Sequence, residues 1–343
     1  MTNEINIAFV LLKSALNGTT PEIEPMEASR WWSLFRLLQQ NHVAALASEA
    51  FAHMEQKPPR EVFIPWLGER QKAKNWYHHQ CEVQAEIIDL MQCNGIETLV
   101  LKGTRLAQLY PQPELREFGD LDLYFYDRHD EADALAAQKL HVMVTNEVHH
   151  HSKYNYRGVT VESHYDFINS HTPHSNRHFE ALLKELVPSS TFEVLFLLRH
   201  MAGHFYASRI TLRDVVDWYL LKKAIGTSVD WNKVSEAVEE SGMTDFMNIL
   251  NAIAEQRLGH PLTSSLSLSA SQSLVEKDIV YGSDLLRGEK DIDGLSRLGW
   301  KIRRYRANRW KQPLVYAHDS RFSLLLTSLT SHALKPHSIL HKQ

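Results

Sequence analysis

The sequence predicts an α+β fold: one small mixed β-sheet between an N-terminal and a C-terminal helical region. Three observations predict it. Apolar residues recur at helical spacing through residues 1–95 and again from about residue 176. Between those regions lie short β-type runs: TLVLKG at 98–103, DLDLYFY at 120–126 and VTVESHYDF at 159–167. A helical pattern separates the second run from the strands after it, and strand–helix–strand followed by antiparallel strands gives an α/β core. The expected units are therefore an N-terminal helical region (1–95), the core (96–170) and a C-terminal helical domain (171–343).

Taken in order, INIAFVLLKSAL reads as one helix and MEASRWWSLFRLLQQNHVAALASEAFAHM as a second, with Trp31, Trp32, Leu34, Phe35, Leu37 and Leu38 as core. Pro58 and Pro59 break the pattern because proline cannot donate to a helical ladder. A long helix then spans about 62–94 and stops at Asn94–Gly95. TLVLKG is a buried strand entering a tight turn, and TRLAQLY is a turn or two of helix ended by Pro111 and Pro113. In DLDLYFY the alternation puts Asp120, Asp122 and Tyr124 on one face and Leu121, Leu123 and Phe125 on the other. DRHDEADALAAQKL is an amphipathic helix. The sheet is expected to resume with HVMVTN, HHHSKYNYR, a turn at Gly158 and VTVESHYDF, in which Glu162, His164 and Asp166 share a face.

The C-terminal region reads as a helix ending at Pro188, then STFEVLFLLRHMAGHFYA with a capping box at Ser190–Glu193. Helices follow up to Gly226, from Asp230 as N-cap, over 245–258, and near 273–287. Residues 261–273 read as a loop, 297–311 as a basic stretch and 323–334 as an apolar one.

Composition bounds the function. With 43% hydrophobic and 23% charged residues and a net charge of −4, nothing global calls for a nucleic-acid or acidic-membrane partner. Cys81 and Cys93 are the only cysteines and make no disulfide framework. The N-terminus lacks a basic segment and a cleavage site, and no run approaches about 18 apolar residues, so no membrane span and a cytoplasmic location are expected.

The chemistry concentrates at 98–166. Phosphoryl transfer needs negative charge neutralised and attacking and leaving oxygens aligned, which Mg²⁺ does when hard carboxylate oxygens hold it. Asp120 and Asp122, two apart on one strand, can share a pair of ions, and Glu162 from another strand can complete the set or act as general base. The Gly103–Thr104 turn lets backbone N–H groups approach a phosphate at a helix start. Lys102 and Arg116 are candidate triphosphate contacts. The structural alternatives are a sheet-edge cap for Lys102 and a surface pair with Glu114 or Glu117 for Arg116.

This ordered set resembles the nucleotidyltransferase superfamily with the DNA polymerase β-like fold. Leu101–Lys102–Gly103–Thr104 stands for its glycine turn, Asp120–Leu121–Asp122 for its paired carboxylates and Glu162 for its third. The closer resemblance is to the bacterial uncharacterised nucleotidyltransferases, matched at Lys102, Tyr110, Arg116, Asp120, Asp122, Glu162 and His164. Thr104 replaces the usual Ser or Gly, and a PQPELREF loop lengthens the path to Asp120. The resemblance implies Mg²⁺-dependent transfer of a nucleoside monophosphate from an NTP to a hydroxyl-bearing acceptor (small molecule, protein or RNA). A catalytically degenerate binding or antitoxin-like module is the alternative.

Other signals weigh less. In the run His149–His151 only His149 and His151 share a strand face, and a solvated strand is the simpler reading. His200 and His204 sit at i and i+4 without the Glu of a zinc-protease motif; packing is the default and cleft lining the alternative. Asp214 and Asp217 read as helix–helix ion pairs, with Asp214 a candidate to reach the cleft. RLGWKIRRYRANRWK reads as a solvated helix face, with a polyanion such as nucleic acid as the weaker alternative.

Overall fold

The computed structural model describes residues 3–146, 150–168, 174–259, 270–282, 294–320, 322 and 324. The N-terminal helices are α1 (Asn3–Asn17), α2 (Ala28–Gln40), α3 (Ala44–Ala47) and α4 (Arg60–Cys93). Next come β1 (Leu99–Val100), α5 (Thr104–Ala107), β2 (Asp120–Tyr124), α6 (His129–Lys139), β3 (His151–Tyr156) and β4 (Val159–His164). Eight further helices follow: α7 (His174–Leu186), α8 (Ser190–Ala207), α9 (Leu212–Ile225), α10 (Trp231–Glu240), α11 (Thr244–Leu258), α12 (Ala270–Tyr281), α13 (Gly294–Asn308) and α14 (Gln312–Val315). The expected α+β class holds. No described helix is long and apolar enough to cross a membrane.

The sheet is mixed, in the order β1-β2-β4-β3: β1 runs antiparallel to β2, β2 parallel to β4, and β3 antiparallel to β4. Alternation decides what each face meets. Leu121 and Leu123 pack with Val159 and Val161 against Val83, Ile87 and Met91 of α4 and Ala132 and Ala136 of α6. Tyr124, on the other face, belongs to the larger helical core, where Phe167 lies 4.5 Å from its ring and 4.8 Å from Phe192 of α8. Asp122 lies on that second face, so its carboxylate is enclosed between sheet and helices. That larger core contains residues of both α1–α3 and α7–α12.

Several sequence expectations need correction. The second helix does not run unbroken to Met54. Asn41, fully buried, donates its amide to the carbonyls of Leu37 and Val280, both at 2.9 Å, and accepts from the Leu212 N–H at 3.2 Å. His42 takes φ +55°, so the chain leaves α2 at a junction of three helices. HVMVTN is not a strand: among the described residues only Thr145 bridges, to Lys153, Met143 is 81% exposed, and no described neighbour completes a ladder. The cap of α8 is Ser189, whose hydroxyl accepts from the Phe192 N–H; Glu193 instead pairs with Arg105. Asp166 lies beyond β4 and pairs with Lys184 at 2.5 Å. Asp230 does cap α10, accepting from the Lys233 N–H at 3.0 Å. Readings on His149, on most of 261–273 and on nearly all of 323–334 fall outside the described residues.

Candidate functional site

The register of β2 and β4 pairs Asp122 with Glu162 and Asp120 with Thr160. A parallel pair in this register sends Asp120, Asp122 and Glu162 to one side, with one oxygen of each within 4.8 Å of the others. These are three of the residues singled out from sequence, and the fold brings them together.

Their environments differ. Asp122 is 1% exposed; Lys102 Nζ lies 2.9 Å from its Oδ1 and His164 Nε2 3.2 Å from the same atom. Burial opposes its charge, but the Lys102 ammonium and the His164 ring hold its carboxyl well below the usual carboxylate range. Glu162 goes the other way. Burial, then the charges of Asp122 and Asp120, push it up, although Lys153 Nζ sits 3.1 Å from Oε1. Asp120 is half-buried and lines the mouth of the adjoining cleft. One carboxylate is thus firmly ionised and another carries a raised affinity for a proton, a division that suits ligand and base roles.

Gly103 precedes α5 at φ +52°, ψ −117°, a backbone region that only glycine occupies cheaply. A Cβ there would also come 3.2 Å from the Phe118 ring. Gly103→Ala is expected to cost about 1–3 kcal/mol in urea unfolding; an unchanged midpoint and slope would sink this reading. Thr104 is buried and gives its hydroxyl proton to Gln84 Oε1. That proton is therefore committed to α4 rather than offered to a phosphate.

Arg116 is buried at the cleft wall and does not pair with Glu114 or Glu117. Its Nε and Nη2 donate to Asp217 at 2.8 and 2.7 Å, and its Nη1 to the Gly103 carbonyl at 3.1 Å. Both partners are almost fully buried, and the Tyr110 hydroxyl donates to the same carboxylate at 2.7 Å. Arg116 thus fixes the glycine turn to α9 from below. The ion pair of α9 involves Asp217; Asp214 stays on its own helix, closing a capping box with Thr211. The alternative for His200 also gains: its Nε2 accepts from Lys102 Nζ at 3.1 Å, so α8 contributes to the site.

Beside Asp120 opens a cleft of about 670 Å³ lined by Trp76, Lys72, Lys153, Arg213, Glu117 and the backbone of Gly119. Sequence reading missed Trp76, Lys72 and Arg213 because they come from α4 and α9, far from the strands in the chain. Burial raises Glu117 to about 7, with the Ala45 N–H, 3.0 Å from Oε1, acting against it and the Glu69 charge adding to it. The folded value exceeds the ordinary 4.5, so the associated stability is full below pH 4.5 and is lost as pH rises through about 7. Glu117→Gln should remove that decline; parallel wild-type and variant melting curves across the interval would refute it.

A family model described as uncharacterised nucleotidyltransferase matches residues 27–259, from α2 through the sheet to the end of α11. No curated protein and no solved structure matches the chain. The matched span holds the three carboxylates, the glycine turn and the α4, α8 and α9 residues of the site, and the chain belongs to the uncharacterised nucleotidyltransferase family.

Proposed function

We propose that this protein moves a nucleoside monophosphate from an NTP to a hydroxyl-bearing acceptor, releasing pyrophosphate, with Mg²⁺ as the cofactor. One observation carries the reading: Asp120, Asp122 and Glu162 converge within 4.8 Å at the edge of a cleft large enough for a nucleotide. Hard oxygen donors on two adjacent strands fit a hard divalent ion. When bound, Mg²⁺ would neutralise phosphate charge and align the reacting oxygens.

The chain's own residues would do the rest. Asp120 and Asp122 would hold the cation. Glu162, with its raised proton affinity, accepts the proton of the acceptor hydroxyl as its oxygen bonds to the α-phosphorus. The bond to the bridging oxygen breaks, and pyrophosphate leaves with the electron pair. Lys102, which pairs with Asp122 at 2.9 Å, would be free to contact a phosphate with a cation on that carboxylate. Gly103 and Thr104 offer backbone N–H groups at the turn, and Arg116 positions that turn from beneath. Trp76, 37% exposed at the cleft wall, is a surface on which a base can lie.

A second reading, a catalytically inactive module of the same fold, draws on the Lys102–Asp122 pair, which balances the buried carboxylate without a metal. Calorimetric titration of ATP, GTP, CTP and UTP with and without Mg²⁺ separates the two. Mg²⁺-dependent binding that disappears in Asp120→Ala/Asp122→Ala supports the transferase and names the donor. No NTP binding to folded wild-type protein favours the module.

A further inference from the structure

The side of Glu162 turned toward β3 faces imidazoles rather than carboxylates. His151 Nε2 lies 3.5 Å from Glu162 Oε1, and His164 Nε2 lies 4.0 Å from Oε2. One ligand atom from each of the three side chains falls within 4.8 Å of the others. A tetrahedral site with bonds of about 2.0–2.1 Å separates its ligand atoms by roughly 3.3 Å. The two distances to Glu162 need contraction of only about 0.2 and 0.7 Å to reach that geometry.

Two further observations point to a cation. His151 is 6% exposed, yet among the described residues neither of its ring nitrogens makes a hydrogen bond, and Nε2 has only the 3.5 Å approach to Glu162 Oε1. A buried polar group left unpaired is costly, and such groups are rare without a reason. The second concerns the tautomer of His164. Its Nδ1 lies 3.2 Å from the carbonyl oxygen of Asp166, which only accepts, so Nδ1 carries a hydrogen. Its Nε2 is thereby turned toward Glu162 Oε2, 4.0 Å away, and Asp122 Oδ1, 3.2 Å away. A histidine donating one ring N–H to a backbone carbonyl while the other nitrogen faces carboxylates is the arrangement of a metal ligand with its supporting contact.

We propose that His151, Glu162 and His164 form a binding site for a borderline divalent cation of the Zn²⁺ class, adjacent to the carboxylate triad and sharing Glu162 with it. Two nitrogen donors select such ions over Mg²⁺, whose preference is for oxygen. Three protein ligands leave a fourth position for water or another ligand. The cation displaces the ammonium of Lys153, a half-exposed side chain 3.1 Å from Glu162 Oε1 that can move into solvent. The site does not rest on the transferase reading; an ion held there occupies Glu162, so the base role given to Glu162 above belongs to the protein without that ion.

Co²⁺ is the probe, because its visible d–d bands report coordination directly. Chelator-stripped protein should bind one equivalent saturably, retain it in excess Mg²⁺ and release it to Zn²⁺. His151→Gln should weaken binding by at least about 100-fold, the upper end of losses seen for groups one shell further out, while Asp120→Asn leaves it unchanged. X-ray absorption on the Co²⁺-loaded wild-type chain should show two imidazole ligands, a reading that holds even if His151→Gln fails to fold. The proposal is overturned by no saturable Co²⁺ binding, by binding retained in folded His151→Gln, or by a spectrum without imidazole. Binding lost in His200→Gln and kept in His151→Gln would likewise overturn it, assigning the ion to the His200–His204 pair on α8.

Discussion

Asp120→Asn is expected to lower pyrophosphate release by about 10²–10³-fold, the scale of losing one preorganised electrostatic group at a reacting centre, while leaving the fold intact. The substitution keeps the side chain's shape and removes its charge. Asp120 sits at the cleft mouth, half-buried, and among the described residues no ion pair or hydrogen bond of its side chain holds the fold. Its stability effect should therefore stay within about 0.5 kcal/mol, as for ordinary surface positions. Asp122 is a poorer probe, because an amide there would strand the Lys102 ammonium, whose side chain is only 12% exposed. Turnover with the donor named by calorimetry, measured beside urea unfolding, checks the prediction. A variant within twofold of wild type would remove Asp120 from the site.

The second large effect is one of stability. Asp217→Ala should destabilise the protein by about 3–5 kcal/mol, because it leaves the Arg116 guanidinium buried without its counter-charge. Both side chains are 3% exposed or less, so solvent screening offers little relief. Tyr110 loses its acceptor in the same change. The double variant Arg116→Met/Asp217→Leu should recover most of the loss, since apolar residues of similar volume often replace buried pairs without penalty. It would still remove the donor to the Gly103 carbonyl, so nucleotide affinity should stay reduced when stability returns. A single variant losing less than about 1 kcal/mol would show that the pair does not anchor the turn.

These two predictions mark what the sequence could and could not convey. Alternation in DLDLYFY put Asp120 and Asp122 on one face, and β-type patterning in VTVESHYDF put Glu162 on a second strand. Local periodicity suffices for that because a strand's faces alternate whatever it pairs with. The partner of Arg116 was not legible. Asp217 is 101 residues away, and the nearer Glu114 and Glu117 offered a local pairing that burial in the helical interface overrode. The Gly103–Thr104 turn is legible as a phosphate cradle, but the Gln84 contact that takes the Thr104 hydroxyl proton comes from α4 and is not. HVMVTN failed for the converse reason. Its residues suit a strand, but strand formation needs a neighbour to complete the ladder, and only Thr145 finds one. The break at Asn41 likewise draws on the Val280 carbonyl of α12 and the Leu212 N–H of α9, which the sequence of α2 does not show.

The long helix α4 has a thermodynamic consequence. At 34 residues it spans roughly 51 Å. Its first turns, with Val62 and Trp66, are built into the helical core, while Tyr77, Val83, Ile87 and Met91 cover the sheet. An opening that exposes the sheet must therefore strip the far half of a helix whose near half is fastened elsewhere. Amides in β2 and β4 should exchange with solvent only as fast as those of α1 and α11, and heating should give one cooperative transition instead of two.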